Sequence, residues 1–101
     1  MDVEIIDQRG ESRFEARIDG ELAGFATYTR EGGVLTVHHT EVGDDYEGMG
    51  LAGDLAQWAL DGARGQNLAV LPECPFFAGY IKKHPEYLDL VPEDQRARFG
   101  L

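Results

Sequence analysis

The sequence predicts a mixed α/β fold of the α+β kind, in which a mainly antiparallel sheet packs against helices. Three observations support this prediction. Apolar and polar side chains alternate with a period of two in residues 3–42, which is typical of half-buried strands. Residues 50–64 instead repeat apolar side chains every three or four positions, as an amphipathic helix does. A short apolar run at 68–71 then predicts one more strand.

The first part of the chain predicts an antiparallel meander. Its four strands are expected at residues 3–6, 14–18, 22–28 and 34–42. The dipeptide Asp19-Gly20 separates the second strand from the third, and an Asp-Gly pair strongly favours a two-residue hairpin turn. Gly32-Gly33 marks the turn that follows.

The alternation also predicts which side chains share a face of the sheet. In the third strand the side chains expected on one face are Leu22, Gly24, Ala26 and Tyr28. In the fourth strand the adjacent residues His38 and His39 are expected to point to opposite faces. His39 is expected to share its face with Glu41.

Two helices are expected around the last strand. The helix at 50–64 is followed by Gly65, in the position of a C-cap glycine. The strand at 68–71 follows this helix, so we expect it to lie parallel beside strand 34–42. A second helix is predicted for residues 75–83, because proline suits its first turn.

The end of the chain predicts less regular structure. His84-Pro85 ends the second helix, since the residue before a proline avoids the helical region. Residues 86–91 are expected to be irregular or extended, and a short helix is expected at 93–99. The predicted order is therefore β-β-β-β-α-β-α plus a short C-terminal helix, in a single domain of residues 1–101.

The composition limits the classes of partner. Nineteen acidic residues against nine basic ones give a net charge of −10, which repels phosphate backbones and anionic lipids. We therefore expect no binding to nucleic acid or membranes. A basic amine would be attracted at long range, although the acidity is also explained by solubility alone.

The composition also predicts a cytoplasmic location. The single cysteine, Cys74, cannot form an internal disulfide, which favours a reducing compartment. No apolar run approaches the ~20 residues of a membrane span, and the N-terminus lacks the pattern of a signal peptide.

A glycine-rich segment at residues 47–53 (Glu-Gly-Met-Gly-Leu-Ala-Gly) lies between the fourth strand and the first helix. Glycines allow a sharp turn and a close approach to a ligand, and the unpaired amides of a helix N-terminus bind phosphate. The segment is not a nucleotide P-loop, because no Lys-Ser/Thr pair follows. It is not a Rossmann fingerprint either, since the preceding strands read as antiparallel hairpins. The glycines could also serve only to make the turn.

Four motifs in this order resemble the GNAT superfamily of N-acetyltransferases, and within it the short YjdJ-like domains. They are His39-Thr40-Glu41-Val42, Gly48-x-Gly50-x-Ala52, Pro72-Glu73-Cys74-Pro75-Phe76 and His84-Pro85-Glu86-Tyr87. Glu47 stands where the superfamily usually has Arg or Gln. The resemblance covers about residues 3–91.

This resemblance implies a site for acetyl-CoA as co-substrate. The pantetheine arm would lie in a gap between strands 34–42 and 68–71, bonded by the backbone of Thr40, Glu41 and Val42. The pyrophosphate would be held by the segment that contains Gly48, Met49, Gly50, Leu51, Ala52 and Gly53. The acetyl group would point toward Glu41 and Cys74, and an amine of a small molecule or a protein would attack it directly. We expect a monomer or a weak dimer.

Four side chains are candidates for the chemistry, each with a structural alternative. Cys74 precedes a helix N-terminus, which favours a reactive thiolate, but it could also only line the site or pack in the core. Glu41 is a candidate general base or a solvated carboxylate, and His39 is preferred over His38 because it shares the face of Glu41. Tyr80 resembles the tyrosine that acts as general acid in relatives, although core packing also explains it.

The sequence predicts no metal site, because no third ligand accompanies the two histidines at useful spacing. Two rival functions remain. The chain could bind CoA or acyl-CoA without turnover, or it could be an interaction domain in which the glycine segment only makes a turn.

Overall fold

Five strands form one sheet in the computed structural model, which describes residues 2–101, and their spatial order follows their order along the chain. The strands are β1 (Val3–Gln8), β2 (Arg13–Ile18), β3 (Glu21–Glu31), β4 (Val34–Val42) and β5 (Ala69–Pro72). Neighbours from β1 to β4 are antiparallel, whereas β5 runs parallel to β4. The mixed, mainly antiparallel sheet and the placement of its last strand are thus confirmed.

Two α-helices pack against one face of this sheet, which we call the helix face. They are α1 (Leu51–Gly65) and α2 (Pro75–Lys83), and short 3-10 segments cover Arg9–Glu11, Asp44–Tyr46, Pro85–Leu90 and Glu93–Phe99. The predicted element order is confirmed. The core between the sheet and the helices includes Val37 of β4, Leu55 of α1 and Phe77 of α2, all of them fully buried. No helix within residues 2–101 is long and apolar enough to cross a membrane.

The end of α1 differs from the prediction by two residues. Gly65 is the last helical residue, and the left-handed conformation falls on Asn67 with φ +56°. Asparagine tolerates this conformation better than most residues, so it replaces the glycine predicted as the helix cap.

The segment after α2 is more regular than expected. Residues 86–91 were expected to be irregular or extended, but Pro85–Leu90 forms a 3-10 helix. Its contacts with α1 explain this order. The hydroxyl of Tyr87 donates to Asp61 over 2.7 Å, and Arg64 donates to Asp89 over 2.8 Å and to the Glu86 carbonyl over 2.7 Å.

A shift of register between β2 and β3 moves the side chains at the start of β3. Ala16 is opposite Gly24, but Arg17 is opposite Leu22, so Ala23 is an extra residue. Ala23 is buried and Leu22 is exposed. The predicted shared face is therefore right for Gly24, Ala26 and Tyr28, and wrong for Leu22, because the bulge interrupts the alternation.

A second bulge inserts His38 into β4. Tyr28 is opposite Val37 and Thr27 is opposite His39, so His38 has no partner in register. The Nε2 atom of His38 lies 2.7 Å from the hydroxyl oxygen of Thr29, which shares a face with Thr27. Both histidines therefore project from the face away from the helices, which we call the open face. The prediction that they point to opposite faces is wrong, because the inserted residue shifts the alternation.

Candidate cofactor and active site

The glycine segment forms an open turn that leads into α1. Gly48 and Gly50 have φ values of +84° and +77°, which residues with a side chain rarely adopt. A Cβ atom on either glycine would meet nothing within 4 Å. These glycines therefore serve the turn itself, and their surroundings leave space above the helix start.

The first amides of α1 have no partner in the helix. The first intrahelical bond runs from the Asp54 amide to the Gly50 carbonyl, over 3.1 Å, and no side chain in the described part of the chain caps the helix. The amides of residues 51–53 are therefore available to an anion. The Met49 amide, in contrast, is directed at the Tyr46 carbonyl over 3.4 Å.

A groove of about 450 Å³ lies over this helix start. It brings together most of the predicted cofactor residues, namely Val42, Gly48, Gly50, Leu51, Ala52 and Gly53, beside Glu47. Tyr46 and the exposed Phe76 also line it, and the sequence reasoning did not place them there. Phe76 directly follows the proline that starts α2, so an aromatic residue in the first turn of this helix was the available signal.

The pairing of strands β4 and β5 ends in the middle of β4, where the two strands separate. Their last paired residues are Val37 and Pro72, and the Cys74 amide closes the pairing by donating to the Val37 carbonyl over 2.9 Å. Among residues 2–101, no strand lies beside residues 38–42 on this side of β4. We call the space beside these residues the cofactor gap. Thr40, Glu41 and Val42 border it, and their binding of a pantetheine arm stays a prediction.

Cys74 lies on the helix face of the cofactor gap. Its side chain is 3 % exposed, and its Sγ atom lies 3.3 Å from the Thr40 hydroxyl oxygen. It packs in the same core cluster as Val37 and Phe77. A substrate in bulk solvent would not reach this sulfur without displacing its neighbours.

Glu41 and His39 lie together on the open face. The Nε2 atom of His39 is 3.2 Å from a carboxylate oxygen of Glu41, and both side chains are well exposed. This confirms that they share a face. The three candidate catalytic residues thus form two groups, with Cys74 on one side of β4 and the other two on the opposite side.

Tyr80 lies on α2 next to α1 and to the groove. A Cβ atom on Gly53 would be 3.9 Å from the Tyr80 ring, and the ring centroids of Tyr80 and Phe76 are 6.5 Å apart. Burial raises the pKa of Tyr80, and the carboxylates of Asp61, Glu86 and Asp54 raise this pKa further. The phenol therefore stays protonated at neutral pH and can donate a hydrogen.

The electrostatics of the groove depend on backbone groups rather than on basic side chains. No lysine or arginine lines it within the part of the chain that the structure describes, and Glu47 does. Arg64 is near the other end of α1, bonded to Asp89. Binding of an anion here would use the amides and the dipole of α1 against the field of Glu47.

Across residues 2–101, no three His, Cys, Asp or Glu side chains come together to hold a metal ion.

A splayed mixed sheet beside a glycine-rich helix start is the architecture of an N-acetyltransferase fold. The chain belongs to the GCN5-related N-acetyltransferase family, whose model matches residues 13–90.

Similarity to known proteins supports this assignment. Protein NATD1 of Gallus gallus and of Mus musculus is 36 % identical over 58 residues, which is 55 % of this chain and 53 % of each relative. The Homo sapiens protein matches equally, over 51 % of its length. The chain thus spans about half the length of these curated relatives.

Two solved structures share the fold. The solution structure of a GCN5-like protein from Staphylococcus aureus, assigned to the N-acetyltransferases, superposes with a TM-score of 0.67 at 25 % identity. The match covers 88 % of this chain and 87 % of that one. Ard1 from Thermoplasma volcanium superposes with a TM-score of 0.53 at 22 % identity, over 62 % of this chain and 44 % of Ard1.

Proposed function

We propose that this chain transfers the acetyl group of acetyl-CoA to an amine. The observation that carries the proposal is the groove of unpaired α1 amides, which borders the cofactor gap at Val42. A pyrophosphate on the amides of residues 51–53 and an extended arm along Thr40–Val42 fit this continuous surface. Bound acetyl-CoA supplies an activated thioester.

The side chains around the cofactor gap have distinct proposed roles. Glu41, paired with His39, accepts the proton that the amine loses. Tyr80 donates a hydrogen toward the sulfur that leaves, since its phenol stays protonated. Cys74 lines the gap on the helix face, and its burial supports this role over that of a nucleophile.

The acceptor is proposed to be a basic amine, on a small molecule or a protein. The net charge of −10 attracts cations. We further propose that residues 1–101 fold as one domain of the YjdJ-like kind, active as a monomer or weak dimer in the cytoplasm.

A second candidate function is binding of CoA or acyl-CoA without turnover. The lining of the groove, which includes Glu47 and no lysine or arginine among residues 2–101, favours this alternative. The two functions share the same ligand site and differ only in whether product forms.

One experiment separates these functions from a plain interaction domain. CoA at 100 times its dissociation constant adds about 2.7 kcal/mol to the free energy of unfolding, which thermal denaturation detects. Release of the CoA thiol from acetyl-CoA in the presence of spermidine then measures transfer. Stabilisation without thiol release supports the binding module, and no stabilisation contradicts both functions.

The same assay tests Cys74. A covalent role requires an acetylated Cys74 peptide in mass spectrometry after incubation with acetyl-CoA, and loss of transfer in Cys74→Ala with CoA binding retained. The lining role predicts no such peptide and only a modest change in rate.

A further inference from the structure

A cavity of about 160 Å³ lies between the sheet and the second half of α1, and we call it the aromatic cavity. The side chains of Phe14, Tyr28 and Trp58 line it, together with Leu35. Phe14, Tyr28 and Leu35 are buried, whereas Trp58 is 40 % exposed. Because roughly 150 Å³ accommodates a benzene molecule, this space holds one aromatic ring or one branched aliphatic group.

The aromatic cavity is separate from the proposed cofactor site. Of α1 it uses residues between Trp58 and Ala63, whereas the groove uses residues 51–53. Gly62 lies 11 residues after Leu51 in α1, which is roughly 16 Å along a helix axis. The cavity therefore lies toward the C-terminal end of the helix, and the proposed transfer of acetyl does not use it.

Two side chains of opposite charge also line the aromatic cavity, Asp7 from β1 and Arg30 from β3. Both lie near the Tyr28 hydroxyl, which donates to Asp7 and feels the charges of Asp7 and Arg30 in opposite directions. Among the described residues the two do not pair with each other. Asp7 instead pairs with Arg9 over 3.2 Å, and Arg30 donates to Gln66 over 2.7 Å. The cavity thus presents one carboxylate and one guanidinium at separate points.

Both charged groups retain hydrogen-bonding capacity. A carboxylate accepts up to about four hydrogen bonds, and Asp7 accepts one from the Tyr28 hydroxyl and one from Arg9. A guanidinium has several N–H donors, and Arg30 uses one of them for Gln66. Burial and the Asp7 carboxylate raise the pKa of Tyr28 to about 12, so its phenol stays protonated and keeps Asp7 in place.

We propose that the aromatic cavity binds a free α-amino acid with an apolar side chain, at a site independent of acetyl transfer. The apolar side chain lies against the aromatic rings, the ammonium group bonds Asp7, and the carboxylate bonds Arg30. A ligand with only a positive charge would meet the repulsion of Arg9 and Arg30. A ligand with only a negative charge would meet Asp7 and the net charge of −10.

Contacts between the rings hold the wall of the cavity in place. The ring centroids of Phe14 and Tyr28 are 4.5 Å apart in a stacked arrangement, and Trp58 meets Phe14 edge-on with centroids 5.6 Å apart. A wall that is already ordered costs little entropy when a ligand binds. Trp58 is also the single tryptophan of the chain, so its fluorescence reports on this wall.

A series of three compounds tests the proposal in the full chain. L-Phenylalanine is expected to change the fluorescence of Trp58 in a saturable way at concentrations below about 10 mM. Phenylpropionate lacks the ammonium group and phenethylamine lacks the carboxylate. Each is expected to bind about 10-fold more weakly than L-phenylalanine, because one charged hydrogen bond is lost.

Two glycines of α1 provide a matched pair of variants. Gly62 lines the aromatic cavity, and a Cβ atom on it would meet only the Gln66 side chain, at 3.7 Å. Gly65 lies in the same helix outside the cavity, and a Cβ atom on it would meet nothing within 4 Å. Gly62→Leu is expected to lower the affinity for L-phenylalanine at least about 10-fold, because its side chain occupies the cavity. Gly65→Leu is expected to retain this affinity, and thermal denaturation checks that both variants fold.

Charge variants test which end of the ligand each residue binds. Arg30→Gln is expected to weaken L-phenylalanine about 10-fold without weakening phenethylamine, which has no carboxylate. Asp7→Asn is expected to weaken L-phenylalanine similarly without weakening phenylpropionate, which has no ammonium group. The exposed change Lys83→Gln is the control and retains the wild-type affinity for L-phenylalanine.

Three results would overturn the proposal. The first is the lack of a saturable change in Trp58 fluorescence up to about 10 mM L-phenylalanine. The second is equal affinity for L-phenylalanine and either single-charge compound. The third is unchanged affinity in a folded Gly62→Leu variant, which would place the ligand in the neighbouring groove that Trp58 lines with Val3 and Ile5.

Discussion

Glu15 is a buried carboxylate on the open face of the sheet, at 1 % exposure, held between two arginines. Arg13 donates to it over 2.6 Å and Arg17 over 2.8 Å. Burial alone would raise the pKa of Glu15, but the hydrogen bonds and charges of Arg17 and Arg13 hold this pKa below its usual range. The folded state therefore prefers the charged form of Glu15.

Glu15→Gln is expected to lower the free energy of unfolding by about 2–4 kcal/mol at pH 7, because two partly buried arginines lose their counter-charge. Because the pKa of Glu15 is lowered in the folded state, the wild-type chain has its full stability advantage over Glu15→Gln above the pKa of an unfolded glutamate. This advantage is lost as the pH falls through the pKa of Glu15 in the folded state. Urea denaturation at pH 7 and at about pH 3 measures both effects, taking the ordinary glutamate pKa as about 4.3. The exposed change Glu4→Gln is the control, and equal stability of Glu15→Gln and wild type at pH 7 would contradict the prediction.

Glu47, unlike Glu15, is a carboxylate whose negative charge is expected to weaken the binding of an anion. It lines the groove in which we propose that a pyrophosphate binds. Glu47→Gln is expected to tighten CoA binding about threefold at low salt, since one repulsive charge is removed from a partly screened site. Isothermal calorimetry measures this, with the exposed change Glu31→Gln as control. Weaker binding by Glu47→Gln would show that the carboxylate itself contacts the ligand.

At the scale of elements, the turn into α1 and the hairpin between β2 and β3 allow a matched test. Gly50 and Gly20 have similar φ values, +77° and +85°, and a Cβ atom on either would meet nothing within 4 Å. Valine should therefore strain the backbone by a similar amount, of order 1–3 kcal/mol, at both positions. Gly50→Val is expected to abolish CoA binding, and Gly20→Val is expected to retain it. Thermal denaturation checks that both variants fold, and unchanged CoA affinity in Gly50→Val would refute the site.

The order and type of the elements could be predicted because they depend on local patterns. The hairpin at Asp19-Gly20 and the proline at the start of α2 each act within a few residues. The bulges could not be predicted, since alternation does not reveal which residue of a strand is inserted. The orientation of His39 followed from one such insertion, and the exposure of Leu22 from the other.

The same distinction applies to the site. The residues of the glycine segment are contiguous in the chain, so the sequence alone predicts that they form a turn before a helix. Tyr46 and Phe76 line the same groove only because α2 returns beside α1. In the aromatic cavity, Asp7, Arg30 and Trp58 come from two strands and a helix, and no local pattern links them.

At the scale of the whole molecule, the charge of −10 acts on every approaching ion. At saturating acetyl-CoA, kcat/KM for spermidine is expected to fall as the screening length shortens from about 30 Å at 0.01 M salt to about 10 Å at 0.1 M. Hydroxylamine, which is mostly uncharged at neutral pH, is the control acceptor and should show little change. A gel shift with duplex DNA at low salt is expected to show no complex. Salt-independent transfer to spermidine, or tight DNA binding, would contradict this prediction.

The sheet order, which repeats the chain order, has a consequence for how the molecule folds. Three of the four strand pairings join neighbours through short turns, so their loop-closure entropy is small. Only the pairing of β4 with β5 must bring Val34 and Ala69 together across a whole helix. Low contact order favours early formation of the meander, and the parallel pairing follows it. The cofactor gap is therefore assembled last, and a ligand bound there stabilises the part of the fold that is slowest to form.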